Sequence, residues 1–331
     1  MPVFNAATYL KEAIQSIIDQ TFTDYTLLLI NDGSTDESEA VIKSFSDERI
    51  WYRKHETNKG LINTLNEGLE LAQSEYIIRM DADDISHPDR FEKQIAFMDA
   101  NPAIDVSGTW FSILNSNDVV TRPVTNDECK VKLLKNTVLG HPTAIFRAAS
   151  ILNANLKYNE SFIYIEDYKL WADASIRGLK LANIPELLLQ YRVHGQQVST
   201  VKAAQQSEMV KQINGWYALH YFGDLLKNQL ELYIQLINST IKTYASFTEA
   251  RILACCLKAE NRAKHYFNID FFESFMDGLL ELAAARIYIL CIDCNIKVLG
   301  KSLFDKDFYF GTTMYQKAKF IFKSIQNSFF G

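Results

Sequence analysis

The chain has 331 residues, of which 48% are hydrophobic and 22% are charged, so it can form one large globular domain or two smaller ones. Its formal net charge of −6 argues against a nucleic-acid-binding surface, because an acidic protein repels a phosphate backbone. No apolar run approaches the roughly 18 residues that cross a bilayer, and the N-terminus lacks the pattern of a signal peptide. With five cysteines, an odd number, these features favour a cytoplasmic protein with free thiols.

The first 200 residues alternate between helix-like and strand-like patterns. Amphipathic stripes indicate helices, and continuous apolar runs indicate buried strands. In chain order, the patterns predict a helix at 8–20, a strand at 25–30, a helix that starts at a capping box in 34–37 and ends near 45, a strand at 50–53, a helix at 59–73, a strand at 76–81, a helix at 88–100, a helix at 166–177 and a strand at 187–193. Such alternation is typical of an α/β fold with a doubly wound, mostly parallel sheet and helices on both faces.

Two features mark the ends of this α/β region. All six prolines lie at or before Pro185, and strand-like runs stop near residue 194, so we predict an α/β domain at 1–200 and an all-helical region at 201–331. At the other end, only Pro2-Val3-Phe4 precedes the first helix, although a doubly wound domain should begin with a strand. We therefore expect the first strand to be truncated in this chain, and the alternative is a sheet that lacks one strand.

Acidic residues lie at the carboxyl ends of two of the predicted strands. Asp81-Ala82-Asp83-Asp84 ends the strand at 76–81, and Asn31-Asp32-Gly33-Ser34 follows the one at 25–30. Ligands of doubly wound sheets bind beyond the carboxyl ends of the strands. Neighbouring carboxylates repel one another and are costly to desolvate, and a divalent cation with a phosphate ligand relieves both effects. The pattern indicates a polar, metal-assisted site, whereas such an acidic segment in isolation is more often a surface turn.

Six segments in this order resemble the motif set of the family-2 inverting glycosyltransferases of the GT-A fold. The segments are Pro2-Val3-Phe4-Asn5, Asn31-Asp32-Gly33-Ser34-Thr35-Asp36, Asn58-Lys59-Gly60, Asp81-Ala82-Asp83-Asp84, Glu166-Asp167-Tyr168-Lys169-Leu170-Trp171 and Tyr191-Arg192-Val193-His194. The resemblance covers about the first 195 residues and does not extend into the helical region. It implies inverting transfer of a sugar from a nucleotide diphosphate, most often UDP, to an acceptor hydroxyl, in the synthesis of bacterial surface polysaccharides or glycolipids.

The resemblance implies roles for residues around the leaving diphosphate. Asp83 and His194 would hold Mg²⁺ or Mn²⁺, ions that prefer oxygen ligands and can neutralise the charge of the leaving group. Asp81 would bind the ribose hydroxyls or a metal-bound water, and Asp84 would either cap the following turn or contact the ligand. The alternative for His194 is a structural role at the end of its strand.

A second implied group of residues would bind the nucleotide base. Asp32 would accept a hydrogen bond from the ring N–H, and Pro2, Phe4 and Asn5 would flank the base. Gly60 has no side chain, so it would allow the nucleotide to approach the N-terminus of a helix closely. Backbone N–H groups at such an end favour anions. Two alternatives stay open: an Asx turn from Asp32 into the helix that starts at 34, and a plain helix start at Gly60.

A third implied group performs the chemistry on the acceptor. Inverting transfer needs one base that deprotonates the acceptor hydroxyl while it attacks the anomeric carbon, and the resemblance assigns this role to Asp167. Glu166 and His141 would contact the acceptor. The alternatives are that both carboxylates oppose the dipole of their helix and that His141 is a turn residue.

The end of the chain combines lysines with aromatic residues. A helix at 315–330 with this composition could lie on the inner face of an anionic membrane, which would suit a lipid-linked or glycan acceptor. The alternative is a helix that packs on the catalytic domain.

Two other functions compete with glycosyl transfer. A sugar-phosphate nucleotidyltransferase also uses a doubly wound sheet and Mg²⁺, but the glycine-rich phosphate loop that it usually needs is not found in the sequence. A non-catalytic nucleotide-sugar-binding scaffold would not need the carboxylates Asp81, Asp83 and Asp167.

Overall fold

A computed structural model describes residues 1–195 and 202–290, without the side chains of residues 203 and 288–290. The chain forms two compact units, Met1–Val210 and Lys211–Gly331. In chain order, the helices and strands are β1 (Pro2–Val3), α1 (Ala7–Ile18), β2 (Leu27–Asn31), α2 (Ser38–Lys43), β3 (Ile50–Lys54), α3 (Leu61–Leu71), β4 (Tyr76–Ile78), β5 (Ile85–Ser86), α4 (Arg90–Ala100), β6 (Val106–Ile113), β7 (Val119–Val120), α5 (Asn126–Lys132), β8 (Ile145–Arg147), α6 (Ala148–Asn153), α7 (Glu166–Ile176), β9 (Leu181–Tyr191), α8 (Ala203–Leu226), α9 (Leu230–Ile237), α10 (Tyr244–Lys264) and α11 (Ile269–Leu290).

Every helix and strand predicted in the first 200 residues is present, most with ends within two or three residues. The last strand differs most, because β9 begins at Leu181 and continues through Pro185 and the exposed Glu186. The alternation predicts an α/β fold because a buried sheet needs amphipathic helices to cover its hydrophobic faces.

The predicted capping box at residues 34–37 is wrong. Helix α2 begins only at Ser38 and has no side-chain cap. The polar side chains instead bind the backbone at the start of α1, whose first N–H groups have no partner within their own helix. The three bonds run from Asn5 N to Ser34 Oγ (3.0 Å), from Ala6 N to Ser38 Oγ (2.9 Å) and from Ala7 N to Asp36 Oδ2 (3.0 Å).

The strands form two sheets with mixed pairing. In the first sheet, β1, β2 and β3 are all parallel. In the second, with the order β4-β8-β6-β9-β5 and β7 beside β6, only β6 and β9 run parallel. The expectation of a mostly parallel arrangement thus holds for the first sheet only. Every antiparallel pair includes at least one of the strands β5 to β8. No strand was predicted in the segments that form these four strands.

Strand β1 consists of two residues that pair with Ile30 and Asn31 of β2. Beside it, a cavity of about 780 Å³ lies between β2 and β4 and is lined by residues of both strands, including Leu28, Tyr76 and Ile78. Strand β2 also contributes to the core of this unit, where Leu29 packs with α1 residues such as Leu10 and Ile14. All three of these core side chains are fully buried.

Gly33 allows the turn after β2 to approach the segment before α3. Its φ of +70° lies in the left-handed region, and a Cβ at this position would come within 2.7 Å of backbone atoms of Thr57 and Asn58. Only glycine avoids both problems. This close approach brings Asp32 next to Lys59 and Gly60.

The described part of the second unit is helical, as predicted. Large aromatic side chains form much of its buried interior, among them Tyr217, Tyr233, Phe247 and Phe272. No helix within residues 1–195 and 202–290 is long and apolar enough to cross a membrane. The basic, aromatic segment at 315–330 lies outside the described residues.

Candidate active site

Three carboxylates cluster directly after β4. Oxygen atoms of Asp81, Asp83 and Asp84 all lie within 4.8 Å of one another. Asp84 is fully buried, and its Oδ1 accepts a hydrogen bond from the backbone N–H of Arg192 at 2.9 Å. Its Oδ2 is buried without a hydrogen-bond partner among the described residues. A buried acceptor without a donor is costly, so this atom suits a ligand that supplies positive charge.

Burial and repulsion from neighbouring carboxylates disfavour the charged forms of Asp81 and Asp84. Burial raises the pKa of Asp81, although Arg79 opposes the shift. Burial, followed by the charges of Asp81 and Asp83, raises the pKa of Asp84 to about 8. Oxygen ligands and a shared excess of negative charge fit a hard divalent cation such as Mg²⁺ or Mn²⁺.

His194 lies beside this cluster, although it is 111 positions away in the sequence. Its Nε2 atom is 3.0 Å from Asp83 Oδ2. Two neighbours fix the segment after β9: the ring of Tyr9 lies 5.0 Å from that of His194, and Arg192 donates from Nε to the backbone oxygen of Asp83 at 2.8 Å. The fold therefore joins the two residues that the sequence predicted as metal ligands.

Two buried arginines, neither of which was predicted as a site residue, support the cluster. Arg79 forms an ion pair with Asp81, and Arg90 donates to the backbone oxygen of Arg79 at 2.7 Å and to Gln94 at 2.8 Å. Burial lowers the pKa of Arg90 to about 9, partly offset by the charge of Asp84. Arg79 could have been identified from the sequence, because a charged residue in an apolar run, two positions before an acidic motif, is unusual.

Glu166 and Asp167 occupy the first turn of α7. Glu166 is only 7% exposed, and burial followed by the charge of Asp167 raises its pKa to about 7. Burial also raises the pKa of Asp167, against the opposing effects of its own helix backbone, Arg79 and Arg122. Since the charges of Arg79 and Asp81 act on both carboxyl groups, the structure brings this turn near the acidic cluster after β4.

His141 lies in the same buried region. Its Nε2 atom is 2.8 Å from the hydroxyl of Tyr158, and its ring packs at an angle to Trp171. Burial, followed by the charge of Arg79, lowers the pKa of His141 well below its usual value. Tyr158 is anchored through its backbone to Asn66, with hydrogen bonds of 2.8 and 3.0 Å. These neighbours fix a neutral imidazole against α7, the helix that contains Trp171.

The pKa of Glu166 predicts a pH-dependent stability. Because the pKa rises from 4.5 to about 7, the native state holds this proton more tightly than the unfolded chain does. The free energy of unfolding should therefore fall as pH rises between these values, by at most about 1.4 kcal/mol per pH unit. Urea denaturation from pH 5 to 8 should show a shallower fall for Glu166→Gln, whereas the exposed control Glu160→Gln should match the unchanged protein. Equal slopes for all three proteins would contradict the burial effect.

Asp32 is the centre of a second group at the ends of β2 and β3. Its Oδ1 accepts from the N–H of Lys59 at 2.8 Å, and its Oδ2 accepts from the N–H of Gly60 at 2.9 Å. Its Oδ1 also lies 2.7 Å from Nδ1 of His55. The alternative of an Asx turn from Asp32 is wrong, because Asn31 accepts the hydrogen bond from Ser34 N instead.

The other predicted nucleotide-binding residues surround the starts of α1 and α3. Gly60 has a φ of +89° and precedes α3, with open space where a Cβ would be. Pro2 lies in β1, and Phe4 is 50% exposed. Asn5 adopts a left-handed φ of +49°, and its Oδ1 accepts from Thr35 N at 2.9 Å.

The structure thus arranges the predicted residues in two groups. Asp81, Asp83 and His194 lie together with the α7 turn and His141, and Asp32 and Gly60 form the second group, beside the turn that Asn5 binds.

Comparison with known proteins adds three findings. Residues 1–156 match the family model described as Glycosyl transferase family 2. A protein of Haemophilus influenzae named as an uncharacterized glycosyltransferase is 31% identical over 315 residues, which cover 90% of this chain and 93% of that protein. The Escherichia coli protein named UDP-Glc:alpha-D-GlcNAc-diphosphoundecaprenol beta-1,3-glucosyltransferase WfgD is 29% identical over 240 residues, or 72% of this chain and 89% of that protein.

A solved structure has the same fold. S. aureus TarS 1-349 in complex with UDP-GlcNAc aligns with a TM-score of 0.56 and 17% identity, over 100% of this chain and 91% of that one. The likeness confirms the predicted GT-A fold with a helical C-terminal region. The family match also sets aside the alternative of a nucleotidyltransferase. With its acidic cluster after β4 and a homologue that aligns over nearly its whole length, the chain belongs to glycosyl transferase family 2.

Proposed function

We propose that this chain transfers a sugar from a UDP-linked donor to an acceptor hydroxyl, with inversion at the anomeric carbon. The observation that supports this most is the proximity of two acidic groups around Arg79. One group, after β4, suits a metal and a diphosphate, and the other, at the start of α7, contains a carboxylate that can act as a base. Glycosyl transfer needs both functions in one site.

The leaving-group side would be formed by the cluster after β4. Asp83 and His194 would hold Mg²⁺ or Mn²⁺, and Asp81 would bind the ribose hydroxyls or a metal-bound water. The unpartnered oxygen of Asp84 makes this residue a further candidate ligand, in addition to its bond to the backbone of Arg192. When bound, the ion would neutralise the charge that develops on the nucleoside diphosphate.

The acceptor side would be formed by the first turn of α7. Asp167 would take the proton from the acceptor hydroxyl while the oxygen attacks the face opposite the leaving group, and a single displacement of this kind inverts the anomeric centre. Burial raises the pKa of Asp167, and a base is most effective when its pKa lies near the working pH. Glu166 and the neutral His141 would contact the acceptor.

The base of the nucleotide would bind beside Asp32. A carboxylate offers about four acceptor positions, and Asp32 uses three of them for His55, Lys59 and Gly60. One position is left for the ring N–H of the base. The half-exposed Phe4 would stack on the base, flanked by Pro2 and Asn5.

The acceptor would be a glycan or a lipid-linked sugar in surface polysaccharide synthesis. The name of the WfgD relative, which refers to a diphosphoundecaprenol acceptor, supports this class. An enzyme with such an acceptor would work at the inner face of the membrane.

A panel of UDP-, GDP- and dTDP-sugars tests the proposal. A UDP-sugar with Mn²⁺ should raise the melting temperature most, and release of UDP should require an acceptor or occur slowly by hydrolysis. NMR of the product should show the anomeric configuration opposite to that of the donor. Stabilisation by a nucleotide without any turnover would instead support a non-catalytic scaffold.

A further inference from the structure

A buried histidine links the Asp32 group to helix α3. His55 follows β3 and is 4% exposed. Its Nδ1 atom lies 2.7 Å from Asp32 Oδ1, and its Nε2 atom lies 2.8 Å from Glu67 Oε2. Both ring nitrogens therefore face a carboxylate oxygen at hydrogen-bonding distance.

The two contacts of His55 depend on which of its ring nitrogens carry a proton. A neutral imidazole has one N–H donor and one bare acceptor nitrogen, whereas an ionised carboxylate can only accept. Both contacts of the ring can be hydrogen bonds to ionised carboxylates at once only when both ring nitrogens carry a proton. The other solution, a protonated Glu67, is disfavoured: although burial alone would raise its pKa, hydrogen bonds from His55 and Arg53 lower it.

The surrounding charges fit a cation at this position. Asp32 approaches from the end of β2 and Glu67 from α3, so two negative charges flank the ring. Arg53 of β3 forms an ion pair with Glu67, and Lys59 Nζ lies 3.7 Å from Glu67 Oε2. Asp32, Glu67, Arg53 and Lys59 are the charged groups around this site, and any pH dependence of His55 must be interpreted with them.

The segment after β2 is connected to helix α3 at two points. Asp32 binds the N–H groups of Lys59 and Gly60 at the start of α3, and His55 binds Glu67 near the middle of the same helix. The imidazole thus fixes the carboxylate of Asp32 relative to α3. If the proton on Nδ1 is lost, Asp32 keeps the backbone donors of Lys59 and Gly60 but loses the side-chain donor that connects it to Glu67.

We propose that His55, in its doubly protonated form, is a positioning residue for the donor nucleotide. It holds Asp32 with its one remaining acceptor position directed to the base. This inference rests on the proposed function to the extent that Asp32 receives the base. It adds a role for His55 and Glu67, and it predicts that donor affinity falls at alkaline pH.

The protonation state can be measured without a ligand. Long-range ¹H–¹⁵N spectra of the full chain should show His55, assigned by its loss in His55→Gln, with two similar, protonated nitrogens at pH 7.5. A spectrum with one bare nitrogen would overturn the inference. In Glu67→Gln, the side-chain amide can donate to Nε2, so the neutral ring should appear at lower pH than in the unchanged protein.

Nucleotide binding tests the positioning role. UDP affinity, measured by calorimetry from pH 6 to 9.5, should fall at alkaline pH in the unchanged protein. In Glu67→Gln this fall should occur at lower pH. His55→Gln should show only the loss that ionisation of the uracil N–H itself causes at the alkaline end of the range, and it should bind UDP on the order of tenfold more weakly throughout. The exposed histidine variant His87→Gln is the matched control and should keep the original profile.

The outcomes separate this inference from the proposed function. If UDP binds with the same pH profile in the unchanged protein, Glu67→Gln and His55→Gln, the positioning role is refuted and the nucleotide site remains. If no nucleotide binds the unchanged protein, the proposed function fails and the positioning role fails with it, whatever the spectra show. Glu67→Gln keeps the size and shape of the side chain, so it also covers the case in which His55→Gln does not fold.

Discussion

Asp167→Asn should nearly abolish sugar transfer while nucleotide binding stays intact. The amide has the size of the carboxylate but cannot accept the proton of the acceptor hydroxyl. General base catalysis contributes about 10²- to 10⁴-fold to rate, so we expect kcat to fall on the order of 10³-fold. The measurement is UDP release in the presence of acceptor, together with the Kd of the donor by calorimetry.

Asp127→Asn is a matched control for this variant. Asp127 is the second residue of α5, as Asp167 is of α7, but it is exposed. It should keep full activity. A second readout comes from pH: because burial raises the pKa of Asp167, kcat of the unchanged enzyme should increase with pH until this group is ionised. An Asp167→Asn enzyme with unchanged kcat, or with donor affinity and kcat reduced equally, would show that Asp167 is not the base.

Asp83→Ala should remove the effect of metal on donor binding. The variant loses the carboxylate that lies next to His194 and within 4.8 Å of its two acidic neighbours. Changes even to residues that only support a metal ligand reduce metal affinity by about 10- to 100-fold, so loss of a direct ligand should weaken Mn²⁺-supported UDP binding by at least about 100-fold. Titration of UDP with Mn²⁺ and with EDTA measures the difference.

Asp89→Ala serves as the control, since Asp89 lies six positions further along the chain and its side chain is 42% exposed. It should respond to Mn²⁺ as the unchanged protein does. The weak binding that remains in EDTA should be alike in all three proteins, because the Asp32 group is not altered. If Asp83→Ala still gained affinity from Mn²⁺ as the unchanged protein does, the assignment of Asp83 as a metal ligand would be wrong.

The positions of the acidic groups could be predicted from the sequence because they depend on local rules. An apolar run that ends in Asp81-Ala82-Asp83-Asp84 indicates a strand with carboxylates at its carboxyl end, and the structure has this arrangement. The same holds for Asp32 after β2 and for the carboxylates in the first turn of α7. Each prediction needed only the hydrophobic pattern within about ten residues.

Contacts between distant segments could not be predicted in this way. The side chains of Ser34 and Asp36 read as a cap for their own helix, but they bind the start of α1. The antiparallel pairs of the second sheet depend on β5 to β8, whose short segments carry little periodic signal. Local patterns specify which residues form a helix or strand, but the pairing of strands depends on packing across the whole unit.

The sequence by itself determined the α/β alternation, the family resemblance and the carboxylates at the strand ends. Only the tertiary structure decided which charges meet: His194 with Asp83, Arg79 with Asp81, and His55 between Asp32 and Glu67. The physical reason is that a buried charge needs a partner of opposite sign, and in a folded chain that partner can come from any segment that packs nearby. The site therefore depends on side chains, such as His55 and Arg79, that no local pattern distinguishes from ordinary structural residues.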